Sequence, residues 1–166
     1  MRARNRLRLL AGLAAGVIVP AAAPRAAGEG NDLPILADWP ADAREARKRR
    51  VPLVVLFSLP GCPYCEQVRR SHLGPMMRDP ARLDLAIVRQ VDINADRVVT
   101  SPAGERLTHA QIARSRGIRG APVVQFWSPD GESIAEPLVG MLLPDFYGAY
   151  LEQSLEAATS KLATAR

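Results

Sequence analysis

At 166 residues, with 48% apolar and 23% charged side chains, the chain fits one globular domain able to bury a real core. The net charge of +5 suggests a nucleic-acid partner until it is located: residues 1–28 hold Arg2, Arg4, Arg6, Arg8 and Arg25 and no acid. The remainder carries 17 basic and 17 acidic side chains, so no nucleic-acid partner is expected of the domain itself.

Residues 1–28 read as an export signal. "MRARNRLR" is a positive n-region, "LLAGLAAGVIV" an apolar run of 11 residues, and "PAAAPRAAG" a small-residue stretch suited to cleavage after one of several alanines. The apolar run is short for a membrane span, so no stable insertion is expected once the signal is removed. No cysteine follows the run closely, which argues against lipid anchoring. The mature protein, residues 29–166, is then expected as a single domain in the periplasm, where disulfides persist.

In chain order, "DWPADAREARKRR" (38–50) predicts a helix capped by Asp38, with Pro40 in its first turn and basic residues at its solvated C-terminal end. "PLVVLFS" (52–58) is an unbroken apolar run bounded by Pro52 and Pro60, the pattern of a strand buried on both faces. A helix is expected from Cys62 to about Leu73, stopped by Gly74-Pro75. "AIVRQVDI" (86–93) reads as a strand and "TSPAGERLT" (100–108) as a short hairpin or loop. Thr108 and Gln111 form a capping-box pattern for a helix ending at Gly117. "PVVQFWS" (122–128), the turn "PDG" and "ESIAEPLVG" (132–140) predict an antiparallel pair. Pro144 opens a last helix with Phe146, Tyr150, Leu151, Leu155 and Leu162 on its apolar face. The order predicts an α/β domain with a central mixed sheet covered by helices.

Cys62 and Cys65 are the only cysteines, three apart at the start of the second helix. Pro63 at the first helical position supplies the right φ and lacks an N–H that would go unpaired. First-turn amides and the helix dipole favour a thiolate at Cys62, a setting in which cysteine pKa values run from about 3.5 to 7.5. A thiolate is the attacking species in disulfide exchange, and Cys65, one turn along, is placed to close the ring. A purely structural bridge over so small a loop would gain little stability. Zinc needs two more ligands, yet His72 lies seven positions past Cys65 and His109 is the only other histidine. Both are read as surface or packing residues, and no metal or cofactor is expected. Covalent haem attachment needs a histidine where Glu66 stands.

Two separated stretches, "VVLFSLPGCPYCEQV" and "RGIRGAPVVQFWSPDGESI", resemble the thioredoxin superfamily, and "EPLVGML" resembles its last strand with Gly140 at the family's glycine. The likeness covers roughly residues 50–160. It implies the thioredoxin fold, a cis bond between Ala121 and Pro122 ahead of the third core strand, and packing of that proline against the cysteines. The Ala121 backbone would pair with a substrate strand. Tyr64, Pro63 and Leu59-Pro60 would shape the rim.

The departures narrow the resemblance. Pro63-Tyr64 is the dipeptide typical of glutaredoxins, although their glycine pair after the proline strand is missing. Leu56 stands where cytosolic thioredoxins bury an aspartate that assists proton transfer at the second cysteine, leaving water or another group, Glu66 being the adjacent candidate, to do so. The long segment "NADRVVTSPAGERLTHAQIA" is similar to exported thioredoxin-related proteins grouped around SoxW. That likeness implies a thiol–disulfide oxidoreductase acting on protein disulfides, reducing them with electrons from a membrane thiol donor. The alternatives are an oxidase of the same fold, a non-catalytic metal- or protein-binding module, and a structural protein with an incidental disulfide.

Overall fold

A computed structural model describes residues 32–141 and 143–165, so the leader 1–28 lies outside the described residues. The helices are α1 (Trp39–Arg49), α2 (Pro63–Val68), α3 (Gly74–Arg78), α4 (His109–Ser115) and α5 (Tyr147–Thr164). The strands are β1 (Leu53–Ser58), β2 (Ile87–Asp92), β3 (Val98–Thr100), β4 (Arg106–Thr108), β5 (Val123–Trp127) and β6 (Leu138–Val139). The main sheet runs β2-β1-β5-β6, with β1 parallel to β2 and antiparallel to β5. Beyond β2, the segment at Ile35 adds a parallel bridge to Gln90, a pairing the sequence reading did not contain.

Strand β1 is buried along its whole length because it serves two cores. Val54 and Leu56 join Val68, Leu73, Phe126, Leu151 and Leu155 on the face covered by α2, α3 and α5. Leu53, Val55 and Phe57 join Trp39, Ala46, Ile112 and Trp127 under α1 and α4. The period-two alternation of a strand divides one apolar run between both layers. Leu56 is therefore core, and nothing polar replaces the aspartate at that position.

Both sequence-derived caps form. The Asp38 carboxylate accepts from the Ala41 N–H at 2.9 Å, and Thr108 and Gln111 complete the capping box of α4. The turn-rich stretch at 100–108 closes as the β3–β4 hairpin.

Three expectations need correction. Gly74-Pro75 does not stop the second helix, which continues through a π-helical turn, Arg69–Leu73, into α3. The Gly74 N–H reaches back five residues to the Arg69 carbonyl, and the widened turn accommodates a proline with no N–H to offer. Gly74 is required there, since a Cβ would stand 2.6 Å from the Arg69 carbonyl oxygen.

Residues 132–140 do not form a continuous strand. A bridge joins Trp127 to Ser133, and β6 pairs only Leu138 and Val139 with Val124 and Val123. Ile134 turns into the core while its N–H still bonds the Phe126 carbonyl at 2.9 Å, and residues 135–137 then bulge, Pro137 having no donor for a ladder.

The face of the last helix is the expected one at Leu151, Leu155 and Leu162, which pack on the core, but not at Phe146 and Tyr150. Pro144 opens a 3-10 turn, Pro144–Phe146, and Tyr147, Leu151, Ser154, Leu155 and Ala158 are buried in α5. Phe146 and Tyr150 stand 60% and 45% exposed. This architecture, a mixed sheet flanked by helices on both faces, is the thioredoxin fold.

Candidate active site

Strand β1 ends at Ser58, and the turn Leu59–Gly61 delivers Cys62 to the N-cap of α2. Pro63 occupies the first turn, and the Cys62 Sγ accepts from the Cys65 N–H at 3.1 Å. Cys62 and Cys65 are joined as a disulfide with their Cα atoms 5.2 Å apart. The two sulfurs are unequally placed: Cys62 is half-buried, whereas Cys65 is 0% exposed.

From the far end of the chain, the loop after α4 brings in Ala121 and Pro122. The peptide bond between them is cis, Pro122 is buried, and the Ala121 carbonyl oxygen lies 4.0 Å from the Cys62 Sγ. Pro122 in turn accepts from the Gly140 N–H at 2.8 Å, which ties the loop to the end of β6. The fold thus gathers Cys62, Cys65, Ala121 and Pro122 from positions nearly 60 residues apart. Tyr64 is 57% exposed and Pro63 and Pro60 are exposed beside the disulfide, while Leu59 turns partly into the core under α1.

A shallow hollow next to Cys62 is lined by Gly61, Cys62, Pro63, Glu66 and Arg69. Arg69 holds the Glu66 carboxylate through Nη2 at 2.6 Å and reaches Ser58 and Gln90 through Nη1 at 2.9 and 3.2 Å. Arg70 also pairs with Glu66. The Arg69 hydrogen bond, reinforced by the charges of both arginines, holds the Glu66 carboxyl below its ordinary value despite some desolvation. Glu66 does not project freely into solvent as an adjacent exposed acid would. It is ionised, twice paired and poorly suited to carry a proton to Cys65.

Arg69 is the site residue that the sequence reading missed. Its signal was present, because a residue four after Cys65 lies on the same helical face.

The two histidines separate. His72 is half-buried with its ring 4.8 Å from that of Tyr147, and burial lowers its pKa. His109 is wholly buried: Nδ1 accepts from the Asp92 N–H at 3.0 Å, and Nε2 bonds the Leu36 carbonyl at 2.9 Å. That pattern requires a neutral ring protonated on Nε2, and desolvation pushes its pKa down accordingly. His109 is a structural pin between β2, α4 and the N-terminal segment. Among the described residues no three His, Cys, Asp or Glu side chains gather as metal ligands.

A mixed sheet with a Cys-Pro-Tyr-Cys pair at the head of a helix, faced by a proline loop, defines the thioredoxin-like class. The chain belongs to this family: the model of the thioredoxin-like domain matches residues 39–155. Family membership and the disulfide-bonded pair support thiol–disulfide oxidoreductase activity.

Among solved structures, the chain is similar to the oxidised C-terminal domain of DsbD from Neisseria meningitidis. Identity is 22%, coverage 72% of this chain and 98% of that one, and the TM-score 0.49. A thioredoxin from Thermus thermophilus matches at 21% identity over 75% of this chain and 86% of its own, with a TM-score of 0.47. A thioredoxin from Nicotiana alata matches at 13% identity, 76% and 98% coverage and a TM-score of 0.49. No curated protein matches the sequence.

Proposed function

We propose that the chain is an exported, SoxW-like thiol–disulfide oxidoreductase that works in the periplasm and reduces disulfides of partner proteins. The observation that supports the exchange chemistry in this reading is the inequality of the two sulfurs, one reachable at the helix cap beside the Ala121 carbonyl and one sealed beneath it.

In the reduced protein the Cys62 thiolate attacks one sulfur of the partner disulfide. A Cys62–partner bond forms as the partner S–S bond breaks, and the displaced thiolate takes up a proton. Cys65 loses its proton, attacks Cys62 Sγ and expels the second partner thiolate. Two electrons have passed to the partner, and the Cys62–Cys65 disulfide is left. A membrane dithiol donor then returns the protein to its reduced form by the reverse exchange. Ala121 and Pro122 dock the partner strand, with Pro63 and Tyr64 at the rim. The arginine-rich leader with its short apolar run supports export, and the SoxW likeness supports the reducing direction.

Insulin reduction with dithiothreitol, comparing the wild type with Cys62→Ser, tests the chemistry: equal rates refute it. The potential of the couple tests direction. A value near −270 mV indicates a reductant, and one near −120 mV an oxidase.

A further inference from the structure

The bulge in the 132–140 segment opens a groove of about 500 Å³ beside β5, running from Ala121 and Pro122 past Val123 to Gln125. Pro137, Val139 and Gly140 form one wall, and the segment from Arg116 to Gly120 forms the other. Its lining includes two basic residues, Arg116 and Arg119, and no acidic one.

Arg116 is held in an unusual way. Its guanidinium carbon lies 4.2 Å from the Trp127 ring centroid and 5.3 Å from that of Trp39, and the two indoles stack on each other at 4.7 Å. Aromatic surfaces fix the plane of the guanidinium but satisfy none of its N–H donors. Among the described residues, neither Arg116 nor Arg119 has a carboxylate within ion-pair distance. Partial burial against the indoles lowers the Arg116 pKa.

We infer that this groove is a specificity subsite that takes an acidic side chain of the partner polypeptide on Arg116, a reading that rests on the function proposed above. The groove begins at the loop whose Ala121 carbonyl faces the Cys62 Sγ, so a strand docked on that loop continues into it. From Pro122 to Trp127, whose ring carries the guanidinium, is five residues of extended chain, about 17 Å, which places the acid about five positions from the partner cysteine. Val139, 66% exposed on the wall, favours apolar residues in between. A planar guanidinium already ordered by the indoles gives a carboxylate two parallel hydrogen bonds at little entropic cost.

The test uses eleven-residue peptides with a central cysteine in mixed disulfide with cysteamine, apolar neighbours, and Glu or Gln two to five positions away on either side. Reduction is followed with dithiothreitol as donor. The wild type is expected to favour Glu about five- to tenfold in kcat/KM near the fifth position, and less at high salt. Arg116→Gln is expected to abolish the preference, read as the ratio of Glu to Gln peptide rates within the variant. Equal rates for Glu and Gln at every position in the wild type, a comparison that needs no variant to fold, overturn the subsite. So does a preference that survives Arg116→Gln.

Binding of the same peptides with serine for cysteine, read by fluorescence anisotropy, reports on the groove without chemistry. Glu-selective binding without turnover keeps the subsite and removes the oxidoreductase function. Turnover with no Glu preference in rate or binding does the opposite.

Discussion

The Cys62 Sγ stands 3.1 Å from the Cys65 backbone nitrogen, so one atom both caps α2 and closes the disulfide. This double duty makes the proposed nucleophile removable without removing the cap. Serine is among the preferred N-cap residues, so Cys62→Ser is expected to fold with a cap penalty well below the ~1 kcal/mol of Cys62→Ala. Its insulin reduction is expected to drop to the dithiothreitol background. Cys65→Ser should still attack and accumulate a mixed disulfide with its partner, visible by mass on a non-reducing gel. A trapped species in Cys62→Ser instead would reverse the assigned roles.

The unequal burial of the pair predicts unequal labelling. One equivalent of iodoacetamide added to the reduced protein is expected to modify Cys62 at least about tenfold faster than Cys65, because the thiolate must be reachable to react. Peptide mapping reads the ratio directly, and labelling at parity would contradict the geometry.

Gly131, in the turn after β5, has φ +87°, and a Cβ there would lie 2.6 Å from Trp39 Cζ2. Gly131→Ala is therefore expected to cost about 1–3 kcal/mol through strain and overpacking. The loosened Trp39–Trp127 stack should shift tryptophan emission to the red. Urea denaturation measures the loss; an unchanged midpoint would mean that the turn and the indoles are not packed as described.

His109 gives the protein an acid-sensitive pin. Its folded pKa lies below the ordinary 6.5, chiefly through burial, although the Leu36 carbonyl and Asp92 push it partly back up. Below pH 6.5 the unfolded chain therefore binds more protons than the native one. The stability is intact above pH 6.5 and is lost as pH falls toward the lowered folded value. His72, also lowered by burial, acts with the same sign. His109→Gln is expected to cost about 1–3 kcal/mol at pH 7.5 through imperfect pairing of Asp92 N–H and Leu36 C=O. It should also flatten the decline in Tm between pH 7.5 and 5.0. A wild-type slope retained in the variant would assign the acid sensitivity to other groups.

Local signals carried far in this chain. The capping pairs at Asp38 and Thr108, the Pro63 start of α2 and the apolar run of β1 each depend on neighbours within a few residues, and all four form. The CXXC pair and the Ala-Pro loop were recognisable for the same reason, being contiguous strings. Gly74-Pro75 misled because a helix held by packing on one face can widen by a residue where propensity alone would end it.

The amino-acid order by itself determined the strand and helix sequence, the cysteine pair with its capping geometry and the gathering of the basic excess in residues 1–28. Tertiary structure decided the rest: that His109 is a buried pin, that Arg69 occupies Glu66, and that residues 135–137 bulge away from β5. It also decided that Arg116 rests on two indoles from opposite parts of the chain. Each of these depends on contacts between residues far apart in sequence, whose partners and desolvation exist only once both cores have closed around β1.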